Sequence, residues 1–572
     1  MSVVTNPQKP QGSNRQGFDA DTLREVTQRS LNSINQWCRA NGLKLSQLKT
    51  HCVMFTNRRN WAFSKPLKVD GAEIEVRTST KFLGITLDSK LSWNNHIENV
   101  CKKAKTILMQ CRKAVGPTWG LKPQTMRWIY EVMVRPILMY GSTIWIAGTR
   151  TQHNQKLLMG VQRLANVLIT GAMPSTPTRA LDVITGIPPI TLMTREFAAK
   201  ETLRLKCQGH WSFVPPGKPS VRITSHISEN EKTIRSLPKE LMGMEQDPII
   251  PVLSISQQFL VQIPSREEYK EPTVDAYDVV CYTDGSKIND QTGAGVVIKG
   301  GPHQEHLNHC ESFHLGQNST VFQAEVFAVF KTAEILLEHN LCSNKILINC
   351  DSKSAIQAIN STVIKNKTPL NAANLLNSLG KSNEVTLSWI PAHSGFEGNE
   401  LADRTAKAGS ANDNNSATSV LLPLPRSVCY AALRRKTLED WVISCRDDPP
   451  RMFNMMWRDR FMKELSGMSR RDLRVATQLL TGHAALNYHL KKLNPAVNPT
   501  CPLCECDDET VSHFLGKCPS LGSIRAEYFG TYFCAGTDIF DKHKLSRIVS
   551  YAHRTRRLEP IKTSDETANS GN

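Results

Sequence analysis

The sequence predicts a multidomain chain in which an α/β domain lies between two mostly helical regions. Three observations predict it. From residue 279 onward, short β-rich runs alternate with helical patterns, whereas helical spacing dominates the segments on either side. Charge changes along the chain: residues 1–250 hold 35 Lys/Arg against 17 Asp/Glu, residues 251–410 hold 12 against 17, and the remainder holds 23 against 18. Finally, the sixteen cysteines are scattered except for one tight group near residue 501, which suits an intracellular chain with one metal site better than a disulfide framework. A length of 572 residues and 40% hydrophobic content allow three or four cores.

Residues 1–20 are polar and expected to be disordered. A helix is expected from Asp21 to Gly42, because Leu23, Val26, Leu31, Ile34 and Trp37 recur at helical spacing and Asn41–Gly42 ends the run. Short strands around 50–87 and helices over 92–116, 123–140 and 151–170 complete a region spanning 21–210. Residues 211–274 read as a linker, with FVPPGKPSV as a loop. In the domain 275–410, VVCYTDGS and GAGVVI are strands, TVFQAEVFAVFKTAEILLEHN is a long helix, KILINCD a strand, DSKSAIQAI a helix, VTLSWIP a strand and GNELADRTAKAG a short helix. A second linker, 411–425, precedes a helical region at 426–494, the cysteine group at 495–522 and a tail at 523–572. The polar start lacks a secretory signal and no run of 18 apolar residues exists, so no membrane span is expected. The expected location is intracellular, in nucleus or cytoplasm.

Four carboxylates in the α/β domain stand where a charge needs a reason. Asp284 shares strand parity with Val280 and Tyr282. Glu325 shares a helix face with Val321, Ala324, Ala328 and Thr332, Asp351 ends the apolar strand KILINC, and Asp403 begins a short helix. Taken singly, Asp284 could be a turn residue, Asp351 a helix cap and Glu325 a side chain reaching solvent. Four together suit phosphodiester hydrolysis. Two hard cations roughly 4 Å apart can activate water and stabilise the leaving oxygen. Mg²⁺ prefers oxygen ligands.

YTDGS at 282–286, GAGVV at 293–297, AE at 324–325, CDSKSAI at 350–356 and WIPAHSGFEGNELADRTAK at 389–407 resemble, in order, the motifs of type 1 ribonucleases H. The resemblance covers about 130 residues and implies a mixed five-stranded sheet with flanking helices. It implies that Asp284, Glu325, Asp351 and Asp403 bind two Mg²⁺ (or Mn²⁺), with His393 on a loop assisting turnover or product departure. Only 42 residues separate Asp351 from His393, which looks short for family members that carry an extra basic helix. Substrate grip would then fall on the basic flanks.

TLREVTQRSLNSINQWCRANGLKLSQLKTHCVMFTNRR, KFLGITLDSKLSWNNHI, WGLKPQTMRWIYEVMVRPILMYGSTIW and VQRLANVLITGAMPSTPTRALDVITGIPPI resemble the end of the palm, the thumb and the connection of jockey-type non-long-terminal-repeat retrotransposon reverse transcriptases. No aromatic–x–Asp–Asp motif accompanies them. The resemblance therefore implies a truncated reverse transcriptase without polymerase chemistry.

CPLCECDDETVSHFLGKCP offers Cys501, Cys504, His513 and Cys518 in the pattern C-x2-C-x8-H-x4-C. Thiolates and an imidazole at such spacing suit tetrahedral Zn²⁺. Four protein ligands leave no open position, so a structural ion is expected. Cys506 rivals Cys504 as a ligand. The pattern resembles a nucleic-acid-binding zinc knuckle at the carboxyl end of jockey-type polyproteins. The preceding LRVATQLLTGHAALNYHLKKLNP resembles the same family, with His483 structural rather than a ligand. The combined reading is a retrotransposon-derived endoribonuclease acting on RNA–DNA hybrids. Its rival is a catalytically idle nucleic-acid-binding remnant.

Overall fold

The computed structural model describes residues 20–56, 62–210, 230–235, 237–269, 276–302, 304–411, 417–447 and 459–558. The expected disorder of 1–20, save its last residue, and the FVPPGKPSV loop lie outside them. The described residues fall into two compact units. One is drawn from residues before 198 and after 438, the other from 198–438.

The second unit is built on one sheet. Its strands are β1 (Leu260–Gln262), β2 (Val279–Ile288), β3 (Gln291–Gly300), β4 (His309–Gly316), β5 (Lys345–Cys350), β6 (Glu384–Trp389) and β7 (Thr418–Ser419). The spatial order is β7-β4-β3-β2-β5-β6-β1. β2, β3 and β4 form an antiparallel meander, while β5, β6 and β1 continue in parallel from β2. The helices are α1 (Val321–Glu338), α2 (Lys353–Ile359), α3 (Lys367–Leu379) and α4 (Glu397–Ala411). Period-2 alternation divides β2 between two cores: Val279 and Cys281 pack with residues of α1, α2 and α3, while Val280 and Tyr282 pack with Ala402 of α4. Thr320 caps α1 by accepting from the Gln323 N–H, and the Gln323 side chain returns the bond.

The sheet has seven strands where five were expected. The outer two come from segments read as linkers, 211–274 and 411–425. Two- and three-residue strands leave no alternation to detect, yet they pair the main-chain groups that β4 and β6 would otherwise leave open. The first linker holds more structure. Pro248–Leu253 pairs antiparallel with Val363–Asn366. Asp247, almost fully buried, accepts from the Thr368 N–H at 2.9 Å and from Asn366 Nδ2 at 2.6 Å, capping α3 from 120 residues away.

In the first unit the helices Asn94–Arg112 and Gln152–Thr170 fall within their expected ranges, and the helix expected over 123–140 contains a π turn at Tyr130–Val134. The buried Asp88 carboxylate accepts from the N–H groups of Lys90, Ser92 and Trp93, tying the chain immediately before Asn94–Arg112. The helix Ala20–Ala40 forms as expected, but its apolar stripe stays partly open, with Trp37 exposed. Its Leu31 packs in a small cluster with Leu67, Val69 and Ile74.

Residues from the far end of the chain complete this unit. Val183 and Ile184 share a core with Leu473, Leu479, Phe514, Leu515 and Tyr551. Buried Arg470 donates to the Leu121 carbonyl at 2.8 and 2.6 Å and to the Leu168 carbonyl at 2.7 Å. The second carbonyl lies in the last turn of Gln152–Thr170, where a cation is favoured. The described part of the segment expected to be a tail, up to residue 558, is folded. Gly522–Phe529, Gly536–Lys542 and Leu545–Thr555 are helices packed into the same core.

One buried acid sets a pH dependence. Asp182 Oδ1 accepts from Gln162 Nε2 at 2.8 Å and Asn166 Nδ2 at 2.7 Å, and burial pushes its pKa up to about 7. Between about pH 4 and 7 the folded chain keeps a proton that the unfolded chain has released. Stability therefore falls as pH rises through that window, by up to roughly 4 kcal/mol. Asp182→Asn retains the accepting oxygen. Its thermal midpoint is expected to fall less steeply between pH 5 and 8 than that of the parent chain.

Candidate active site

Asp284, Glu325 and Asp351 come from three elements and meet in one place. Asp284 lies on β2 opposite Gly295 of β3, Glu325 lies in the first turns of α1, and Asp351 follows the last residue of β5. One carboxylate oxygen of each lies within 4.8 Å of the others. Asp284 and Glu325 are buried and Asp351 half-buried. Glycines allow the approach. A Cβ on Gly285 would stand 2.7 Å from the Glu325 amide nitrogen, so only glycine lets α1 lie this close to β2. A Cβ on Gly295 would stand 2.4 Å from the Ala402 carbonyl, so the GAG sequence of β3 seats α4.

Burial and mutual repulsion oppose ionisation of the cluster. Asp284 is pushed up to about 8, first by desolvation and next by the charge of Asp351, while the Gly285 N–H, at 2.7 Å from Oδ1, pulls the other way. Glu325 is raised well above the carboxylate range by burial, then by Asp351 and Asp284. Asp351 is raised by burial, an effect opposed by a hydrogen bond from Asn399 and by His393. Three desolvated carboxylates that repel one another are relieved by a bound cation. Their hard oxygen donors suit Mg²⁺ or Mn²⁺.

Asp403 stands in a neighbouring group with His393 and Glu400, whose ligand atoms also lie within 4.8 Å of one another. Its Oδ2 pairs with Lys407 Nζ at 2.6 Å, one helical turn on. His393 is exposed and has a positive φ of 52°. Sequence reasoning missed Glu400, although it precedes Asp403 by three residues on one helix, the spacing that places side chains together. It also missed how the histidine loop is held. Arg266 Nη2 donates to Ser394 Oγ at 3.2 Å, and the rings of Tyr269 and Phe396 meet at 5.0 Å. Both anchors come from the segment read as a linker.

Cys501, Cys504, His513 and Cys518 form the third such group. The Cys501 and Cys518 sulfurs are 3.9 Å apart, and Cys504 Sγ is 3.3 Å from His513 Nε2. A tetrahedral site with Zn–S of about 2.3 Å and Zn–N of about 2.0 Å has S···S edges of about 3.8 Å and S···N edges of about 3.5 Å, close to these separations. His513 Nδ1 lies 3.7 Å from an Asp507 carboxylate oxygen, leaving Nε2 to face the thiols. The Cys506 thiol turns to the Cys504 carbonyl and is not in the group. His483 lies apart, with Nδ1 3.3 Å from Ser175 Oγ.

Residues 276–411 match the family model described as RNase H, so the chain carries a ribonuclease H domain. Three relatives extend the comparison. The Retrovirus-related Pol polyprotein from type-1 retrotransposable element R1 of Nasonia vitripennis is 23% identical over 164 residues, 28% of this chain and 48% of that protein. The RNA-directed DNA polymerase from mobile element jockey of Drosophila melanogaster is 26% identical over 179 residues, 31% of this chain and 19% of that protein. Ribonuclease H1 of Rattus norvegicus is 27% identical over 223 residues, 35% of this chain and 74% of that protein. These findings relate the chain to the polyproteins of non-long-terminal-repeat retrotransposons. The chain spans less than half the length of the first such relatives.

Proposed function

We propose that this chain hydrolyses the RNA strand of RNA–DNA hybrids, leaving a 5′ phosphate and a 3′ hydroxyl. The observation that carries the reading is the convergence of Asp284, Glu325 and Asp351, largely buried, with ligand oxygens within 4.8 Å of one another in a ribonuclease H domain. These three, with Asp403 beside them, would hold two Mg²⁺ or Mn²⁺, which supply activation of a water and stabilisation of the leaving oxygen. The Gly285 N–H and the Asn399 side chain orient Asp284 and Asp351. His393, on its exposed loop, assists departure of the product. Discrimination of RNA from DNA rests on the 2′-hydroxyls of the cut strand.

Binding falls to regions outside the acidic nuclease segment. The helix Asn94–Arg112 exposes Lys102, Lys103 and Lys105, a surface suited to phosphates. Cys501, Cys504, His513 and Cys518 hold one structural Zn²⁺. The test is incubation of the purified chain with labelled hybrid, duplex RNA and duplex DNA, with Mg²⁺ and with chelator. Hybrid cleavage that requires the metal is expected. Metal-independent cleavage, or none, overturns the reading.

Reverse transcription is not part of the proposal. The Asp–Asp pairs at 447–448 and 507–508 follow Cys445–Arg446 and Glu505–Cys506, so neither stands in an aromatic–x–Asp–Asp motif. A polypeptide of this sequence is expected to extend no primer on an RNA template above a no-enzyme control. Extension by the purified chain would contradict this.

A further inference from the structure

Beside the Cys/His group lies a pocket of about 380 Å³ lined by Tyr488, Lys491, Lys492, Pro499 and Asp508. That volume falls in the range of small-molecule sites, roughly 300–1,000 Å³. One wall is the helix Asn487–Leu493, on which Tyr488, Lys491 and Lys492 stand at positions i, i+3 and i+4 and so share a face. The other wall is the chain entering and leaving the Cys501–Cys506 turn. Lys492 Nζ lies 4.5 Å from the centre of the Tyr488 ring. Lys491 and Lys492 are exposed, whereas Tyr488 and Asp508 are half-buried.

The walls are held together by a polar network beneath them. Asn487 Nδ2 donates to the Thr500 carbonyl at 2.9 Å, and the Asn487 N–H donates to Glu509 Oε2 at 2.7 Å. Glu509 is buried and receives Arg557 Nε and Nη2 at 2.6 and 2.7 Å; Arg557 Nη2 also donates to Asn487 Oδ1 at 3.0 Å. The Glu509 N–H donates to the Pro499 carbonyl at 2.8 Å, and Thr500 bridges Asp508. The two walls are therefore fixed to one another, and the exposed Lys491 and Lys492 side chains complete the lining.

We propose that this pocket holds one unstacked nucleotide of a single-stranded nucleic acid. The Tyr488 ring, over which Lys492 Nζ lies, becomes a stacking face for a base once that ammonium moves to a phosphate, and Lys491 meets the phosphate on the other side. Asp508 offers a carboxylate to an exocyclic amino group, so cytosine, adenine and guanine fit better than thymine or uracil. Glu505 and Asp507, exposed on the adjoining turn, repel a second backbone, which favours a single strand over a duplex. The site is independent of the nuclease reading, because the four carboxylates of that reading lie between residues 284 and 403.

The test is fluorescence anisotropy of the full chain with 12-residue DNA homopolymers, which are not substrates for hybrid cleavage. Oligo(dC) and oligo(dA) are expected to bind more tightly than oligo(dT), and Asp508→Ala to remove that difference. Tyr488→Ala should weaken oligo(dC) binding about tenfold or more, with Tyr488→Phe within about twofold of the parent. Replacing both Lys491 and Lys492 by Ala should reduce the slope of log affinity against log salt by about 1.4. Photocrosslinking of an iodinated oligo(dC) to the unsubstituted chain, read by mass spectrometry, should mark Tyr488. Parent-like binding by Tyr488→Ala, a loss in Tyr488→Phe equal to that in Tyr488→Ala, or crosslinks confined to other segments would each overturn the assignment.

Discussion

Asp351→Asn is expected to lower hybrid cleavage at saturating substrate and Mg²⁺ by about three orders of magnitude or more, equivalent to about 4 kcal/mol of transition-state stabilisation. Asparagine keeps the size and one accepting oxygen but removes the charge that draws cations to the cluster. The fold should tolerate the change. Asp351 contributes repulsion to its neighbours, and its anchoring contact to the sheet is made by the main chain, whose carbonyl accepts from Trp389 Nε1 at 2.9 Å. The metal-free variant should therefore melt no lower than the metal-free parent. Cleavage within tenfold of the parent would remove Asp351 from the metal-binding set. A fall in the melting temperature large enough to explain the lost activity would make its role structural.

Cys518→Ser is expected to lose zinc and to unfold far more than a knuckle. Structural zinc contributes on the order of 10–16 kcal/mol in small zinc-binding peptides, comparable to or above the whole stability of a typical domain, about 5–15 kcal/mol. A knuckle confined to residues 495–522 would lose only its own fold. The structure argues otherwise, because Cys501 and Cys518 are themselves members of the core that holds Val183, Ile184, Phe514 and Tyr551. Arg525, fully buried, donates to the carbonyls of Leu515 and Cys518 at 2.9 Å and binds those last ligands to the following helices. Limited proteolysis of Cys518→Ser should open sites before residue 197 as well as after 500, while peptides from 276–411 stay protected. Cys506→Ser should keep one zinc by atomic emission and behave as the parent. Protection of the amino-terminal helices in a zinc-free Cys518→Ser chain would show the ion to act only locally.

The carboxylates were legible because each combines a local pattern with an improbable charge. Asp284 lies within an apolar strand and Asp351 follows one, and Glu325 stands among the largely apolar buried residues of a helix. The glycines around them carried the same information in another form. Gly285, Gly293 and Gly295 stand where a helix backbone comes close, one of the few reasons a strand carries glycine. Glu400, Arg266 and Tyr269 were not legible. Glu400 looks like any solvated helix residue, and Arg266 acts on a loop 128 residues away. Long-range pairing explains the other misses too. Leu260–Gln262 becomes a strand only because β6 presents an edge to it, and Asp247 becomes a helix cap only once Thr368 is brought beside it. Local sequence carries periodicity and turn chemistry, whereas these features depend on which segment arrives alongside.

The side chain of Arg470 satisfies two carbonyls that were made some 300 residues earlier, and this has a consequence for synthesis. At roughly 5–20 residues per second, the 241 residues from 198 to 438 take about 12–48 s to emerge. Throughout that interval Arg470 and the carboxyl-terminal residues that share a core with Val183 and Ile184 are not yet made. The ribonuclease H segment meanwhile has all of its own strands and can close first. The unit that contains the amino terminus would thus be the last to form, and a ribosome stalled before residue 470 would carry a finished ribonuclease H domain and a sticky, half-built bundle. Quality control of such nascent chains, by chaperone or protease, would be set by how long the bundle waits for one arginine.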